Sequence, residues 1–330
     1  MAVEHHERAV AGALDLSRAG VNGHRCGTRA VGIRCVADVW EAAPIGDSTL
    51  IMPDGRTVGF ATYGPDRATP VVWCHGGPGS RLEPAGLAPF LDALGLRVIG
   101  IDRPGYGLSS LRPGRSIADF VPDGLAVVDR LGIERFLVVG VSTGGAYALA
   151  LAAMAPERVQ AVVACSAMSD MRHQPSRDTM STATCHDVWN APNRSAAIEV
   201  ARAVFGDDGS RLMGSADVEL CAADLAFIAQ AATDPAQEVS LRAQFANGVQ
   251  GYVDDRLADG PGWASFDIAA VTCPVVVLHG SDDTIVGPVN AHHTTSLVPQ
   301  ATLRIEDGQG HLSVTAFVVE PLMQLASTTE

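Results

Sequence analysis

Residues 136–145 read Phe-Leu-Val-Val-Gly-Val-Ser-Thr-Gly-Gly. The apolar run up to Val141 predicts a buried strand, and the Ala-rich sequence Gly145–Met154 predicts a helix. Between them lies Gly-x-Ser-x-Gly, whose glycines avoid clashes with the neighbouring backbone in a very sharp turn. A serine at such a strand-to-helix turn takes a strained conformation and presents its hydroxyl at the edge of a sheet. We therefore consider Ser142 the candidate nucleophile.

Similar apolar runs on both sides of this stretch predict more strands. They are Pro70–Cys74, Leu96–Ile101, Val159–Cys165, Val275–His279 and Thr302–Ile305. A β-hairpin is predicted before them, from Thr49–Met52 and Thr57–Tyr63 around a Pro-Asp-Gly turn. Apolar residues at helical spacing predict a helix at Ser116–Leu131, between two of these predicted strands. Short buried strands that alternate with helices indicate an α/β fold with a mostly parallel central sheet and helices on both faces.

The strand pattern is interrupted in the middle of the chain. Between about Asp170 and Gly262, helical periodicity replaces it, as in Asp217–Ala232 and Pro235–Asn247. We expect residues 170–262 to form an inserted helical cap, called the cap segment below, between the two parts of the core, 48–169 and 263–330. Residues 1–47 form an N-terminal extension, which could serve dimerisation, cover a pocket or be passive.

Composition excludes several classes of function. The formal net charge is −14, which disfavours nucleic acid and anionic membranes as partners. All 23 basic residues are arginine, so a Walker A loop, a Schiff-base lysine and a Ser-x-x-Lys site are excluded. The seven cysteines include no Cys-x-x-Cys, so we expect no metal site and no disulfide framework. Without an evident secretory signal or an 18-residue apolar run, a cytoplasmic location is expected.

A serine nucleophile needs a base, and the base needs a group that orients it. His311 follows the last predicted strand within Gly-Gln-Gly-His-Leu-Ser, at the edge of the sheet where Ser142 is expected. For the third member, Gly-Ser-Asp-Asp-Thr-Ile-Val after Val275–His279 offers two aspartates. The spacing favours Asp283 over Asp282, and Asp170, after an earlier strand, stays as an alternative.

Backbone amides are expected to hold the developing oxyanion. One is that of Thr143, directly after the nucleophile. The other should come from the loop His75-Gly-Gly-Pro-Gly-Ser80, where proline lacks an N–H and Gly77 is the natural donor. A phosphate-binding role for this loop is disfavoured, because lysine and the Gly-x-Gly-x-x-Gly spacing are both missing.

These motifs, together with Asp-Arg-Pro-Gly-Tyr-Gly-Leu-Ser at 102–109, resemble the α/β-hydrolase superfamily over about residues 48–326. The resemblance implies a serine hydrolase with the triad order Ser, Asp, His and no cofactor. The loop at His75 is similar to that of proline iminopeptidases, which usually carry Asp-Gln-Arg-Gly after the next strand and Trp after the nucleophile. Here Asp102-Arg-Pro-Gly and Thr143 stand at those places, which argues against aminopeptidase activity. Through His75–Pro84 and Ile101–Ser110, the chain also resembles bacterial zearalenone lactonases.

We therefore expect hydrolysis of a small apolar ester or lactone, with the cap segment selecting the substrate. The cap segment contains methionines, whose side chains are adaptable, and a few aromatic residues. They could line an apolar substrate pocket, or they could form the cap segment's own core. Met168, Trp189 and Tyr252 are the residues expected to bind substrate, the last two with hydrogen-bonding atoms for a phenolic group. An aminopeptidase and a hydrolase-like binding protein without turnover stay as alternatives, and a homodimer is left open.

Overall fold

The computed structural model describes residues 47–180, 183–211, 219–231 and 235–328. One eight-stranded sheet crosses the molecule, in the order β1-β2-β4-β3-β5-β6-β7-β8. Strand β2 is antiparallel to both its neighbours and all other pairs are parallel. This confirms the predicted fold class. The strands are β1 Ser48–Ile51, β2 Thr57–Tyr63, β3 Thr69–Cys74, β4 Leu96–Ile101, β5 Phe136–Val141, β6 Val159–Cys165, β7 Val275–Gly280 and β8 Ala301–Glu306.

The central strands are mostly apolar because both faces of the sheet are covered. Successive side chains of a strand point to opposite faces. In β3, Val72 and Cys74 accordingly belong to one apolar cluster, and Val71 and Trp73 to a second. This two-sided burial explains why the strands read as continuous apolar runs instead of alternating ones.

Eleven α-helices lie within the described residues. They are α1 Leu91–Leu94, α2 Val121–Arg130, α3 Gly144–Met154, α4 Gln174–Asp178, α5 Ala183–Asn190, α6 Arg194–Phe205, α7 Ala222–Ala231, α8 Pro235–Gln244, α9 Gln250–Asp259, α10 Val289–Leu297 and α11 Val319–Thr328. Side chains of α2, α3 and α10 join the first apolar cluster, and those of α1 and α11 join the second. Helices therefore cover both faces of the sheet.

Helices α4 to α9 fill the described part of the cap segment. Between them they bury an apolar cluster that includes Val188, Phe205 and Tyr252, together with Phe245 directly after α8. Helix α7 is shorter than the predicted Asp217–Ala232, part of which lies outside the described residues, and α8 ends at Gln244. The division of the chain into core and cap stays a prediction that this helical cluster supports.

Of the predicted extension 1–47, only Asp47 is among the described residues. Its carboxylate pairs with Arg81 at 2.7 Å.

The predicted helix at Ser116–Leu131 differs from the structure at its start. This stretch begins as a 3-10 turn, Ala118–Phe120, and becomes α-helical only at Val121, next to a proline in the first turn. In the described parts of the chain, no helix has the length and apolar character needed to cross a membrane.

Candidate active site

Ser142 lies in the turn between β5 and α3 with φ 53°, in the left-handed region. Its amide donates a hydrogen bond to the carbonyl of Cys165 at 2.9 Å, which ties the turn to β6. A Cβ on Gly144 would lie 2.0 Å from the carbonyl oxygen of Cys74, and one on Gly140 would lie 2.5 Å from that of Gly144. Because neither position has room for a side chain, glycine allows the turn that leaves Ser142 partly exposed.

The two predicted oxyanion donors, Gly77 and Thr143, lie against each other. Thr143 is only 2% exposed. A Cβ placed on Gly77 would lie 2.7 Å from Thr143 Oγ1, and one on Gly76 would lie 3.7 Å from the Cβ of Ser142. The loop after β3 therefore packs directly on the nucleophile turn, so that both predicted donors are neighbours of Ser142.

Two charged side chains hold the main chain of this loop. Glu83 accepts the amide of Gly76 at 2.8 Å with one carboxylate oxygen and the indole N–H of Trp73 at 2.8 Å with the other. Burial raises the pKa of Glu83. Arg103 donates to the carbonyl of Gly76 at 2.7 Å and pairs at 2.7 Å with Asp255 of α9, both side chains being fully buried. Glu83 and Arg103 thus hold the amide and the carbonyl of Gly76, one residue before the predicted donor Gly77.

His311 and Asp283 are joined by a 2.8 Å hydrogen bond between Nδ1 and Oδ2. The other carboxylate oxygen of Asp283 accepts the amides of Ile285 at 2.9 Å and Val286 at 2.8 Å. Since Nδ1 faces the carboxylate, Nε2 of His311 is the nitrogen left to exchange a proton with a nucleophile. No hydrogen bond joins His311 to Ser142 in the described part of the chain; catalytic hydrogen bonds of this kind tighten when substrate binds.

The three aspartates considered as the acid occupy different surroundings. Asp282 is exposed and accepts a hydrogen bond from Ser281 Oγ at 2.8 Å. Asp170 pairs with Arg172 at 2.5 Å and accepts the amide of Trp263 at 3.3 Å. Of the three, Asp283 is the one that the fold brings to His311.

A second histidine, His279, contacts the same carboxylate, and no motif in the sequence indicates it. Nε2 of His279 lies 3.1 Å from Asp283 Oδ2 and 2.7 Å from the carbonyl oxygen of Val286. His279 is fully buried near the end of β7. Its position four residues before Asp283 was the only signal in the sequence, and by itself it does not distinguish a functional histidine from a core one.

Electrostatics make the pair suited to base catalysis. Burial by itself lowers the pKa of His311, but the negative charge and hydrogen bond of Asp283, together with the negative charges of Asp224 and Glu83, outweigh it, so the pKa is raised. Burial by itself raises the pKa of Asp283, but the charge of His311 and the hydrogen bond from His279 outweigh it, so the pKa is lowered. The carboxylate is therefore ionised, and the imidazole is a stronger base than a free histidine.

Arg256 of α9 brings a buried cation to the oxyanion side, which the sequence did not indicate. The side chain is 2% exposed. Its Nη2 donates to Thr143 Oγ1 at 2.5 Å and lies 2.6 Å from a carboxylate oxygen of Asp259. Its Nη1 donates to Met168 Sδ at 3.1 Å. A lone arginine in a helical segment carries no motif, and only the packing of α9 reveals this contact.

The three residues predicted to bind substrate differ in what they contact. Met168 lies at the site, since its amide donates to the carbonyl of Ser142 at 3.3 Å. Trp189 donates its indole N–H to Asp259 at 2.7 Å, and the hydroxyl of Tyr252 lies 3.4 Å from Cys185 Sγ. The polar atoms of Trp189 and Tyr252 thus have protein partners. Substrate binding by all three stays a prediction.

The arrangement is suited to nucleophilic acyl transfer. A serine on a strained turn, amides beside it and a carboxylate-oriented imidazole at the same sheet edge are the groups that this chemistry needs. Among the described residues, no group of three or more His, Cys, Asp or Glu side chains could hold a metal ion.

Known proteins share this architecture. A family model described as the α/β-hydrolase fold matches residues 69–315. The chain is 31% identical over 247 residues to 2-hydroxymuconate semialdehyde hydrolase of Pseudomonas putida, which covers 73% of this chain and 80% of that protein. It is similar in structure to a hydrolase from Pseudomonas aeruginosa, with a TM-score of 0.61, 20% identity and coverage of 86% and 98% of the two chains. A thermophilic esterase from Thermogutta terrifontis gives a TM-score of 0.59, 19% identity and coverage of 86% and 98%.

Proposed function

Because the chain belongs to the α/β-hydrolase fold family, we propose that it is a serine hydrolase that cleaves a carboxylic ester or lactone through an acyl-enzyme on Ser142. The observation that carries this proposal is the 2.8 Å hydrogen bond from His311 Nδ1 to Asp283 at the sheet edge where Ser142 occupies its left-handed turn. This bond orients an imidazole of raised pKa as a general base.

Acylation begins when Ser142 Oγ attacks the ester carbonyl carbon and His311 Nε2 takes the hydroxyl proton. The carbonyl oxygen becomes an oxyanion, to which the amides of Gly77 and Thr143 donate. The C–O bond of the ester then breaks, and His311 returns the proton to the leaving alkoxide. Asp283 stays ionised and stabilises the imidazolium in between.

Deacylation repeats these steps with water as the nucleophile. His311 takes a proton from water, whose oxygen attacks the acyl carbon, and then protonates Ser142 Oγ as it leaves. The net change is addition of one water. With a lactone, the acyl and alcohol parts stay joined, so the product is a single hydroxy acid.

For the finer specificity we propose a lactone, with the resorcylic macrolactone zearalenone as the compound to assay. The support is the sequence resemblance of His75–Pro84 and Ile101–Ser110 to zearalenone lactonases. Met168, next to Ser142 and Thr143, is an apolar and adaptable side chain that would pack against the acyl chain.

The test has two parts. A fluorophosphonate probe should label wild-type protein and not Ser142→Ala, with mass spectrometry locating the adduct on Ser142.

A panel of substrates should then contain p-nitrophenyl esters, zearalenone, other lactones, proline β-naphthylamide and 2-hydroxymuconate semialdehyde, the compound in the name of the Pseudomonas putida relative. A product one water heavier than a lactone supports the proposal. Dominant cleavage of the amide would favour an aminopeptidase, and a protein that neither reacts with the probe nor turns over any compound would be a binding protein.

A further inference from the structure

Asp224 is a fully buried carboxylate in the cap segment, near the start of α7. It accepts three hydrogen bonds from consecutive backbone amides, those of His311 at 2.9 Å, Leu312 at 3.0 Å and Ser313 at 2.8 Å. The partners lie 87 to 89 residues away along the chain. A side chain of the cap segment therefore holds the loop that carries the predicted base.

These amides have a physical need for such a partner. They precede and begin the short 3-10 turn Ser313–Phe317, so they have no acceptor within the turn itself. A carboxylate is the strongest acceptor a side chain can offer to N–H groups, because the bond is charge-assisted. On the other side of the same residue, Ser166 Oγ donates to the carbonyl of His311 at 2.9 Å. The peptide groups that flank the imidazole are thus held at both ends.

Asp224 also places negative charge near the imidazole. Three carboxylates face His311 from separate elements, namely Asp283 after β7, Glu83 after β3 and Asp224 on α7, while His279 contacts Asp283 from β7. In the proposed mechanism His311 gains a positive charge. A carboxylate nearby stabilises that state relative to the neutral imidazole.

We propose that Asp224 is a positioning residue for the base, through which placement of the cap segment controls the orientation of His311. The inference rests on the proposed function, because only that function gives His311 the role of base. If Asp224 positions His311, the cap segment that is expected to select the substrate also supports the loop that carries His311. Displacement of α7 would then lower turnover even for a substrate too small to touch the cap segment.

The packing around Gly310 leaves little freedom in this contact. A Cβ on Gly310 would lie 2.4 Å from a carboxylate oxygen of Asp224 and 2.5 Å from Cys221 Sγ. Glycine is therefore needed for α7 to approach the loop this closely. Gly310→Ala disturbs the same contact from the opposite side, without changing any charge.

The primary experiment compares Asp224→Asn with Asp254→Asn, using a small p-nitrophenyl ester. Asp254 is a matched control, since it is a cap-segment carboxylate 2% exposed whose partner is Arg194 at 2.6 Å. We expect Asp224→Asn to lower kcat about 10- to 100-fold with little change in KM, as expected for a misplaced catalytic group. The acidic limb of kcat/KM should move to lower pH by up to about one unit, because a negative charge near the imidazole is lost. Asp254→Asn should keep the wild-type kcat and the wild-type acidic limb of kcat/KM.

Circular dichroism and Tm check whether Asp224→Asn folds. If it folds poorly, Gly310→Ala is a second variant that tests the same contact. It should lower kcat in the same direction and by at least about 5-fold, since a sub-ångström to ångström shift of a catalytic group suffices for such losses. Its effect should not multiply with that of Asp224→Asn in the double variant, because both disturb one contact.

The outcomes separate this inference from the proposed function. Wild-type protein without probe labelling or ester turnover contradicts the proposed function itself. Active wild type with an unchanged kcat and acidic limb in Asp224→Asn overturns the inference alone. A loss of kcat equal in Asp224→Asn and Asp254→Asn, with no movement of the limb, also overturns it, because a general loss of stability would then explain the effect.

Discussion

The buried imidazole of His279 lies 3.1 Å from the carboxylate of Asp283, on the same oxygen that accepts the hydrogen bond of His311. The two residues are four positions apart, at the end of β7 and in the loop that follows. Asp283 therefore has donors on both of its oxygens, with the amides of Ile285 and Val286 on the other. These contacts fix the carboxylate that is bonded to the candidate base, His311.

His279→Phe should remove this polar contact with Asp283 while keeping a planar ring at the position. We expect kcat to fall by about 10-fold and KM to stay near wild type, because Asp283 would be held less firmly and His311 less well oriented. The carbonyl of Val286 also loses its partner, so stability should fall by about 1–3 kcal/mol. Steady-state kinetics and urea unfolding measure both effects. His292→Phe, the same change at an exposed histidine of α10, is the control and should leave kcat unchanged.

Asp283→Asn and Asp170→Asn separate the two candidate acids. The first should lower kcat by roughly 10⁴-fold, because the amide favours the wrong tautomer of His311. The second should stay close to wild type, since Asp170 pairs with Arg172. Ester hydrolysis by both variants under saturating substrate is the measurement. Near-normal turnover by Asp283→Asn would contradict the assignment, all the more if Asp170→Asn were inactive.

The pH dependence follows from the raised pKa of His311. A general base works only when neutral, so kcat/KM should fall as the pH drops through this pKa. The acidic limb should therefore have its midpoint above about 6.5, the ordinary value for histidine. A kcat/KM profile from pH 5 to 9 at constant ionic strength tests this. A midpoint well below 6.5 would mean that burial, which lowers the pKa, outweighs Asp283.

Arg256→Met should affect both stability and catalysis, and a second variant separates them. The change leaves the carboxylate of Asp259 buried without its cation, at a cost of about 3–5 kcal/mol. It also removes the 2.5 Å hydrogen bond to Thr143 Oγ1, so we expect kcat to fall by about 10-fold. Adding Asp259→Asn should restore much of the unfolding free energy but not kcat. Recovery of kcat together with stability would show that Arg256 supports folding only.

The predicted strands and the strand-to-helix turn at Ser142 are present in the structure, which also brings Asp283 to His311. They could be predicted because the signals are local, as in the Gly-x-Ser-x-Gly turn, whose glycines have no room for a Cβ at Gly140 and Gly144. Parallel strands then bring their carboxyl ends to one edge, which is why Ser142, Asp283 and His311 could be grouped from their positions after three strands.

The residues that surround the candidate triad had no such local signal in the sequence. Asp224 reaches the His311 loop over 87 residues, and Arg256 reaches Thr143 over 113. Both lie on helices of the cap segment, where charged residues read as solvated faces. Sequence periodicity predicts that a helix has a buried face, but not which element it packs against.

The sequence by itself therefore determined the sheet, its covered faces and the edge at which the candidate nucleophile, acid and base lie. Strand burial and turn geometry depend on neighbours in the chain, and a linear pattern records them. Only the tertiary structure decided which buried charges of the cap segment contact that edge. Such contacts depend on how α7 and α9 pack across the sheet edge, and a buried charge becomes stable only through the partner that this packing supplies.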